Sequence, residues 1–190
     1  MKITGAKLAV KKLRGLDNKI NQAASNGINR TATKARTEAI DAITDKYTLS
    51  ASYVNGKLKV VARSSPLNLR ATIASNTVAT LLDRFQSVDS KDGVKVRVRR
   101  SSGMKTINGS FRVKNLTYSG TTGIAMSKVD ARRYYKSQGL NGLANKIKGD
   151  RGIHVLHSMS INQIFETIKD DITPDVQAFL LRTFLRNLDK

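Results

Sequence analysis

The sequence contains no cysteine and no tryptophan, and only two prolines and two histidines among its 190 residues. The absence of cysteine excludes a disulfide framework, a thiolate zinc site and a cysteine nucleophile. No stretch approaches the roughly 20 apolar residues of a membrane span, so we expect no membrane partner. Residues 1–5 lack the apolar core of a secretion signal, which favours a cytoplasmic protein.

Acidic residues are also scarce. The sequence has 14 Asp and Glu but 34 Lys and Arg, which gives a formal net charge of +20. Such a chain repels its own copies and attracts polyanions, of which nucleic acid is the first candidate. The five Phe and five Tyr are too few for a generous stacking platform for single strands. We therefore expect contacts with phosphate backbones rather than with unstacked bases.

The residues of an enzyme are missing as well. The sequence has no phosphate-binding loop, no nucleophile elbow and no His-Glu-x-x-His helix. In an extended segment His154 and His157, three apart, would point to opposite faces and would not share a metal; in a helix they could, but no well-placed carboxylate accompanies them. We predict a protein that is not an enzyme, with no catalytic residues, no cofactor and no metal.

The N-terminal part predicts a long helix. Its apolar residues recur at three- and four-residue steps from Leu8 to Ile43. Residues 25–27, Ser-Asn-Gly, interrupt the pattern, which indicates either a kink or two helices in tandem. Residues 1–36 carry nine basic side chains and a single acidic one, Asp17. This basic face either contacts phosphates or is simply solvated.

The middle of the chain changes to the two-residue period of strands. Short strands are predicted at 59–63 and 69–74, and a helical turn or two within 77–85. In the clearest strand, Val94–Arg100, valines alternate with Lys95, Arg97 and Arg99. Residues 91–115 hold eight basic side chains and one acidic one, so like charges would repel unless an anion sits opposite. The alternative is a half-buried strand with a solvated cationic face.

Residues 119–152 are rich in Gly, Ser and Asn, and we interpret 118–150 as a flexible or assembly-dependent segment. Within it, residues 132–136 are two arginines, two tyrosines and a lysine. They either grip nucleic acid by charge and stacking or form a loop that orders against a partner subunit. The candidate nucleic-acid-facing residues of the whole chain are Lys95, Arg97, Arg99, Arg100, Arg112, Lys114, Arg132, Arg133 and Lys136.

The C-terminal part predicts two helices, the first closed by Thr173-Pro174 and the second opened by Asp175. Residues 166–190 are nearly neutral, with five acids and four bases, and carry a broad apolar stripe. The predicted packing residues, in the core or between subunits, are Phe165, Phe179, Leu180, Phe184 and Leu188. Together these elements predict a single α+β domain: a long N-terminal helix, a small, mostly antiparallel sheet and two C-terminal helices.

Several motifs, taken in order, resemble the minor tail protein Z family of long-tailed bacteriophages. Residues 28–36 (INRTATKAR) are similar to the early helix signature of that family. A basic strand like 94–100 and a Gly-x-Phe element, here Gly109-Ser110-Phe111, follow in the family order. His154-Val155 then leads into residues 160–165 (SINQIF), which resemble a helix start, although Asn162 replaces the usual proline. Residues 118–150 match poorly.

This resemblance implies a structural virion protein that acts late in tail assembly. Such a subunit is expected at the head-proximal end of the tail, in a homo-oligomeric ring of six around the DNA channel. Its partners would be other tail and neck proteins and the double-stranded DNA in the channel. The charge of the chain is equally consistent with a free-standing nucleic-acid-binding protein. A third possibility is an assembly chaperone absent from the virion, which would use the neutral C-terminal helices to bind a tail protein.

Overall fold

The computed structural model describes residues 4–116 and 120–188, with side chains described from Asp17 onward. The predicted α+β class is confirmed: a long N-terminal helix, small antiparallel sheets and helices in the C-terminal part. Packing divides the chain into two compact units of discontinuous sequence. Unit 1 contains the residues up to Ala42, Asn55–Asn76 and those from Phe165; unit 2 contains Ile43–Val54 and Thr77–Ile164. The single domain stays a prediction.

The elements follow one another in a mixed order along the chain. The helices are α1 (Thr4–Lys46), α2 (Ala51–Lys57), α3 (Lys128–Ser137), α4 (Asn141–Lys146) and α5 (Ile161–Leu188). The strands are β1 (Leu58–Ala62), β2 (Thr72–Ser75), β3 (Ala79–Leu81), β4 (Gln86–Ser90), β5 (Gly93–Arg97), β6 (Lys105–Asn108), β7 (Phe111–Val113), β8 (Gly123–Ser127), β9 (Ile153–Val155) and β10 (His157–Ser160). Leu82–Arg84 forms a 3₁₀ turn after β3.

Unit 1 packs the C-terminal part of α5 against α1. Small residues of α1, including Ala23 and Gly27, are buried at this contact. A Cβ added at Gly27 would lie 3.6 Å from the backbone of Phe184, so the two helices approach closely there. Asn187 of α5 donates a side-chain hydrogen bond to the carbonyl of Ala23 at 3.4 Å. Helix α1 runs through residues 25–27 without a break, so the tandem-helix alternative is wrong.

Polar side chains of α1 fix the β1–β2 hairpin in the same unit. Asn29 donates to the Ser64 carbonyl at 2.9 Å and accepts from the Ser64 amide at 2.8 Å. Arg36 donates from Nε to the Leu58 carbonyl at 2.7 Å, just where β1 begins. These bonds satisfy backbone groups at the start of β1 and two residues after its end, and so connect both ends of the strand to α1.

Unit 2 is a set of small antiparallel sheets with α3 and α4. The strand orders are β10-β3, β4-β5-β6 and β7-β8-β9. Its core contains Phe85, Val94, Ile124, Met126 and Leu156, all buried. Strand β8 is the central strand of its sheet, and its residues Gly123, Ile124, Ala125 and Met126 are all buried.

The predicted boundary between two C-terminal helices is wrong. Helix α5 continues through Pro174, although proline lacks the amide that would complete the helical ladder. Pro174 is exposed, whereas Ile168 before it and Thr183 after it are buried. The packing of the flanking turns therefore outweighs the local cost of the proline.

The glycine-rich stretch 118–150 is largely built of regular elements. It contains all of β8, α3 and α4, and Ala131, Tyr135 and Ala144 of the two helices are buried. Ser127 caps α3, because its Oγ accepts a hydrogen bond from the amide of Asp130 at 3.1 Å. Tyr118 lies outside the described residues. Dependence of this stretch on assembly stays a prediction.

Candidate nucleic-acid interface

The outer face of the β4-β5-β6 sheet combines cationic and neutral side chains. Val94 and Val96 of β5 are buried while Lys95 is exposed, as the alternation predicts. Lys95 lies opposite Val88 of β4 and Thr106 of β6, and Arg97 lies opposite Gln86. Cross-strand partners point to the same side of a sheet. We call this side the basic sheet face; its residues are Gln86, Val88, Ser90, Gly93, Lys95, Arg97, Thr106 and Asn108.

None of these residues of the basic sheet face is a carboxylate. Asp89 of β4 is an acidic residue of the same sheet, but it lies opposite Val94 and so belongs to the other face. Lys95 makes no ion pair with any residue that the structure describes. Its charge is therefore neutralised by solvent ions or by a bound polyanion rather than by the fold.

Arg97 is the second cation of the basic sheet face, and it is half-buried. Its Nε is buried without a hydrogen-bond partner among the described residues. A buried donor without a partner costs free energy, but because this atom is screened from the surface, a ligand on the basic sheet face would reach it only if the Arg97 side chain moved.

Arg112, a predicted nucleic-acid contact, is used inside unit 2. Its Nε donates to Asp89 Oδ1 at 2.7 Å, one Nη donates to Ser87 Oγ at 3.0 Å, and the other contacts Asp83. This guanidinium accordingly connects β4 to the 3₁₀ turn and forms ion pairs with both carboxylates. Sequence reasoning missed the cluster because its members lie 23–29 residues apart in the chain.

Arg99 and Arg100 do not extend the basic sheet face, because β5 ends at Arg97. The Arg99 guanidinium lies 5.8 Å from the ring centre of Tyr47 and lines a cleft with Val96 and Val98. Arg100 donates from Nε to the Thr44 carbonyl at 2.7 Å. The expectation that Arg99 shares a face with Lys95 is thus wrong.

The cluster at 132–136 lies on α3 and splits into three environments. Arg132 donates to the carbonyls of Ile147 and Gly149 and contacts Asp150, so it stabilises the loop after α4. Tyr135 is buried, and its hydroxyl accepts from the His157 amide at 3.4 Å. Burial raises the pKa of Tyr135. A base cannot stack on this ring, since it belongs to the core.

The remaining predicted cations are exposed. Arg133 and Lys136 lie one turn apart on α3, and Arg133 approaches Asp130 at 3.7 Å. Lys114 follows β7. The structure therefore places the nine predicted cations on several surfaces of unit 2, and none of the residues named for the basic sheet face is an acid.

The predicted packing residues cluster on α5 in unit 1. Phe165, Phe179, Leu180 and Phe184 are half-buried, whereas Leu188 is 41% exposed. Leu180 and Phe184 line a groove of about 340 Å³ between α1 and α5, whose other lining residues are Ala24, Ile28, Gln177 and Leu181. Leu181 is 60% exposed and Leu185 50% exposed, so part of this stripe remains uncovered in one chain.

The described residues contain no group of three or more His, Asp or Glu side chains that could hold a metal ion. Across the same residues, no helix has both the length and the apolar character needed to cross a membrane. Comparison with models of known protein families, with curated proteins and with solved structures gives no match.

Proposed function

We propose that this chain is a tail-completion or neck subunit of a long-tailed bacteriophage, located at the head-proximal end of the tail. In this proposal it forms a ring around the DNA channel and helps to join tail and head. The observation that carries the DNA contact is the basic sheet face, with Lys95, Arg97 and no carboxylate. The virion setting comes from the ordered resemblance to the minor tail protein Z family of residues 28–36, 94–100, 109–111, 154–155 and 160–165.

Charge supports a second class of partner beside DNA. Six copies at +20 would carry about 120 positive charges, whereas a ring roughly 40 Å deep would face about 24 phosphates of a duplex. Most of the charge in such a ring would lie outside the lumen. We infer that neighbouring tail or neck proteins with acidic surfaces neutralise part of it.

The location is tested by imaging purified particles that have been labelled with gold-tagged antibody against this chain. Label at the head–tail junction is the expected result. Absence of label, with the protein abundant in infected cells, would replace the proposal with an assembly chaperone. A free-standing nucleic-acid-binding protein predicts instead that the isolated monomer binds duplex tightly and that particles carry no label.

The DNA contact is tested by measuring duplex affinity of the full chain against salt concentration. Lys95→Gln is expected to lower the slope of log K against log salt by about one, because one phosphate contact is lost. Lys59→Gln is the matched control, since Lys59 is an exposed strand lysine of β1 in unit 1. Equal slopes for both variants and the parent would remove the basic sheet face from the proposal.

A further inference from the structure

A cleft in unit 2 lies on the other side of the same sheet, next to α3. It has a volume of about 320 Å³, at the lower end of the range for ligand sites. Its floor consists of the aliphatic side chains of Leu82, Val96, Val98 and Ile107. The register places Val96 opposite Lys105 and Val94 opposite Ile107, so this is the inner face of the sheet and not the basic sheet face.

The polar residues of the cleft are donors. Arg99 and Lys105 supply two positive charges, and no carboxylate belongs to the lining. Lys105 is exposed and has no ion-pair partner among the described residues. Arg99 contacts the face of the Tyr47 ring, an arrangement that leaves N–H groups at the guanidinium edge for an acceptor.

Tyr134 adds a neutral donor to the cleft. Burial raises the pKa of the Tyr134 phenol, and the neighbouring Tyr135 raises it further, so the hydroxyl stays protonated at neutral pH. Gln138, directly after α3, also lines the cleft. The site therefore offers an apolar floor beneath several donors and two cations.

We propose that this cleft binds an acidic peptide segment of a partner protein, with one aliphatic or other apolar side chain on the floor. The adjacent carboxylates of the segment would pair with Arg99 and Lys105. The composition of the floor favours a peptide over a nucleotide, because a single ring, that of Tyr134, cannot sandwich a base. The proposal goes beyond the DNA contact: it assigns a protein ligand to a different face and holds whether or not the basic sheet face binds DNA.

The test uses the full-length protein and five fluorescent pentapeptides, each with two acidic residues on either side of a central Leu, Ile, Val, Met or Phe. At least one is expected to bind with a dissociation constant below about 1 mM and to shift the methyl resonances of Val96 and Ile107. The same peptide with a central Ser, or with Lys in place of the acids, is expected to bind at least tenfold more weakly. Failure of all five peptides to bind would overturn the proposal.

Three variants locate the binding. Lys105→Glu should weaken the peptide at least tenfold, whereas Lys95→Glu, the same charge change on the opposite face, should not. Gly103→Leu should also weaken peptide binding. Gly103 lines the cleft and a Cβ there would meet no atom within 4 Å, so the protein has room for the leucine, whose side chain would take up space needed by the peptide. Equal effects of Lys105→Glu and Lys95→Glu, or displacement of the peptide by duplex DNA, would reduce the cleft to part of a general polyanion surface and overturn the proposal.

Discussion

Arg112 joins three side chains through one guanidinium, and it is the residue whose loss should disturb unit 2 most directly. Arg112→Met would leave Asp83, which is 15% exposed, without its cation. We expect the free energy of unfolding to fall by about 1–3 kcal/mol, measured by urea denaturation. Lys114→Met, two residues away and exposed, should change it by less than about 0.5 kcal/mol. Similar losses for both would mean that Arg112 acts only through net charge.

Single side chains also mark the limit of what the sequence predicts about the site. Lys95 was predicted correctly to be exposed, because strict alternation with buried valines fixes its face. Arg112 and Arg132 have equally basic neighbours in sequence, yet their partners Asp83, Asp89 and Asp150 are recognisable only once the chain is folded. Local charge does not distinguish a cation that holds the fold together from one that faces a ligand.

At the scale of elements, α5 carries a proline where a helix interior disfavours one. Pro174→Ala should raise the free energy of unfolding by about 1–3 kcal/mol, because alanine restores the missing amide and has the highest helix propensity. The measurement is again urea denaturation. Asp175→Ala, exposed and adjacent, serves as the control for propensity alone. If both variants raised the free energy of unfolding equally, the gain could not be attributed to the removal of the proline.

Elements with a strong period were predictable, and those held by distant packing were not. Helix α1 and strand β5 follow from their 3.6- and two-residue patterns of apolar residues. Helix α3 does not, because Ala131 and Tyr135 are its only buried positions and the surrounding sequence is rich in Gly, Ser and Asn. The helix break expected at Pro174 follows from a local rule about proline. Helix α5 continues instead, because residues on both sides of the proline are buried.

At the scale of the whole molecule, the uncovered part of the α5 stripe predicts self-association. Leu181→Asp with Leu185→Asp should convert the oligomer expected for this chain into monomer, measured by light scattering after gel filtration, with unchanged far-ultraviolet circular dichroism. Leu67→Asp is the control, since Leu67 is fully exposed outside the stripe. An oligomer that survives the double change would place the subunit contact elsewhere.

The interrupted sequence of unit 1 bears on how the chain folds as it is made. The partner of α1, the part of α5 from Phe165 onward, is translated only after the whole stretch Thr77–Ile164. At about 5–20 residues per second, that stretch delays it by roughly 4–18 seconds. During this interval a nascent α1 carries its alanine and glycine surface without its partner helix. When the interval ends, unit 2 has all its segments, whereas unit 1 still lacks the residues from Phe165 onward. Unit 2 is therefore free to fold first on the ribosome, although α1 is the first element to emerge.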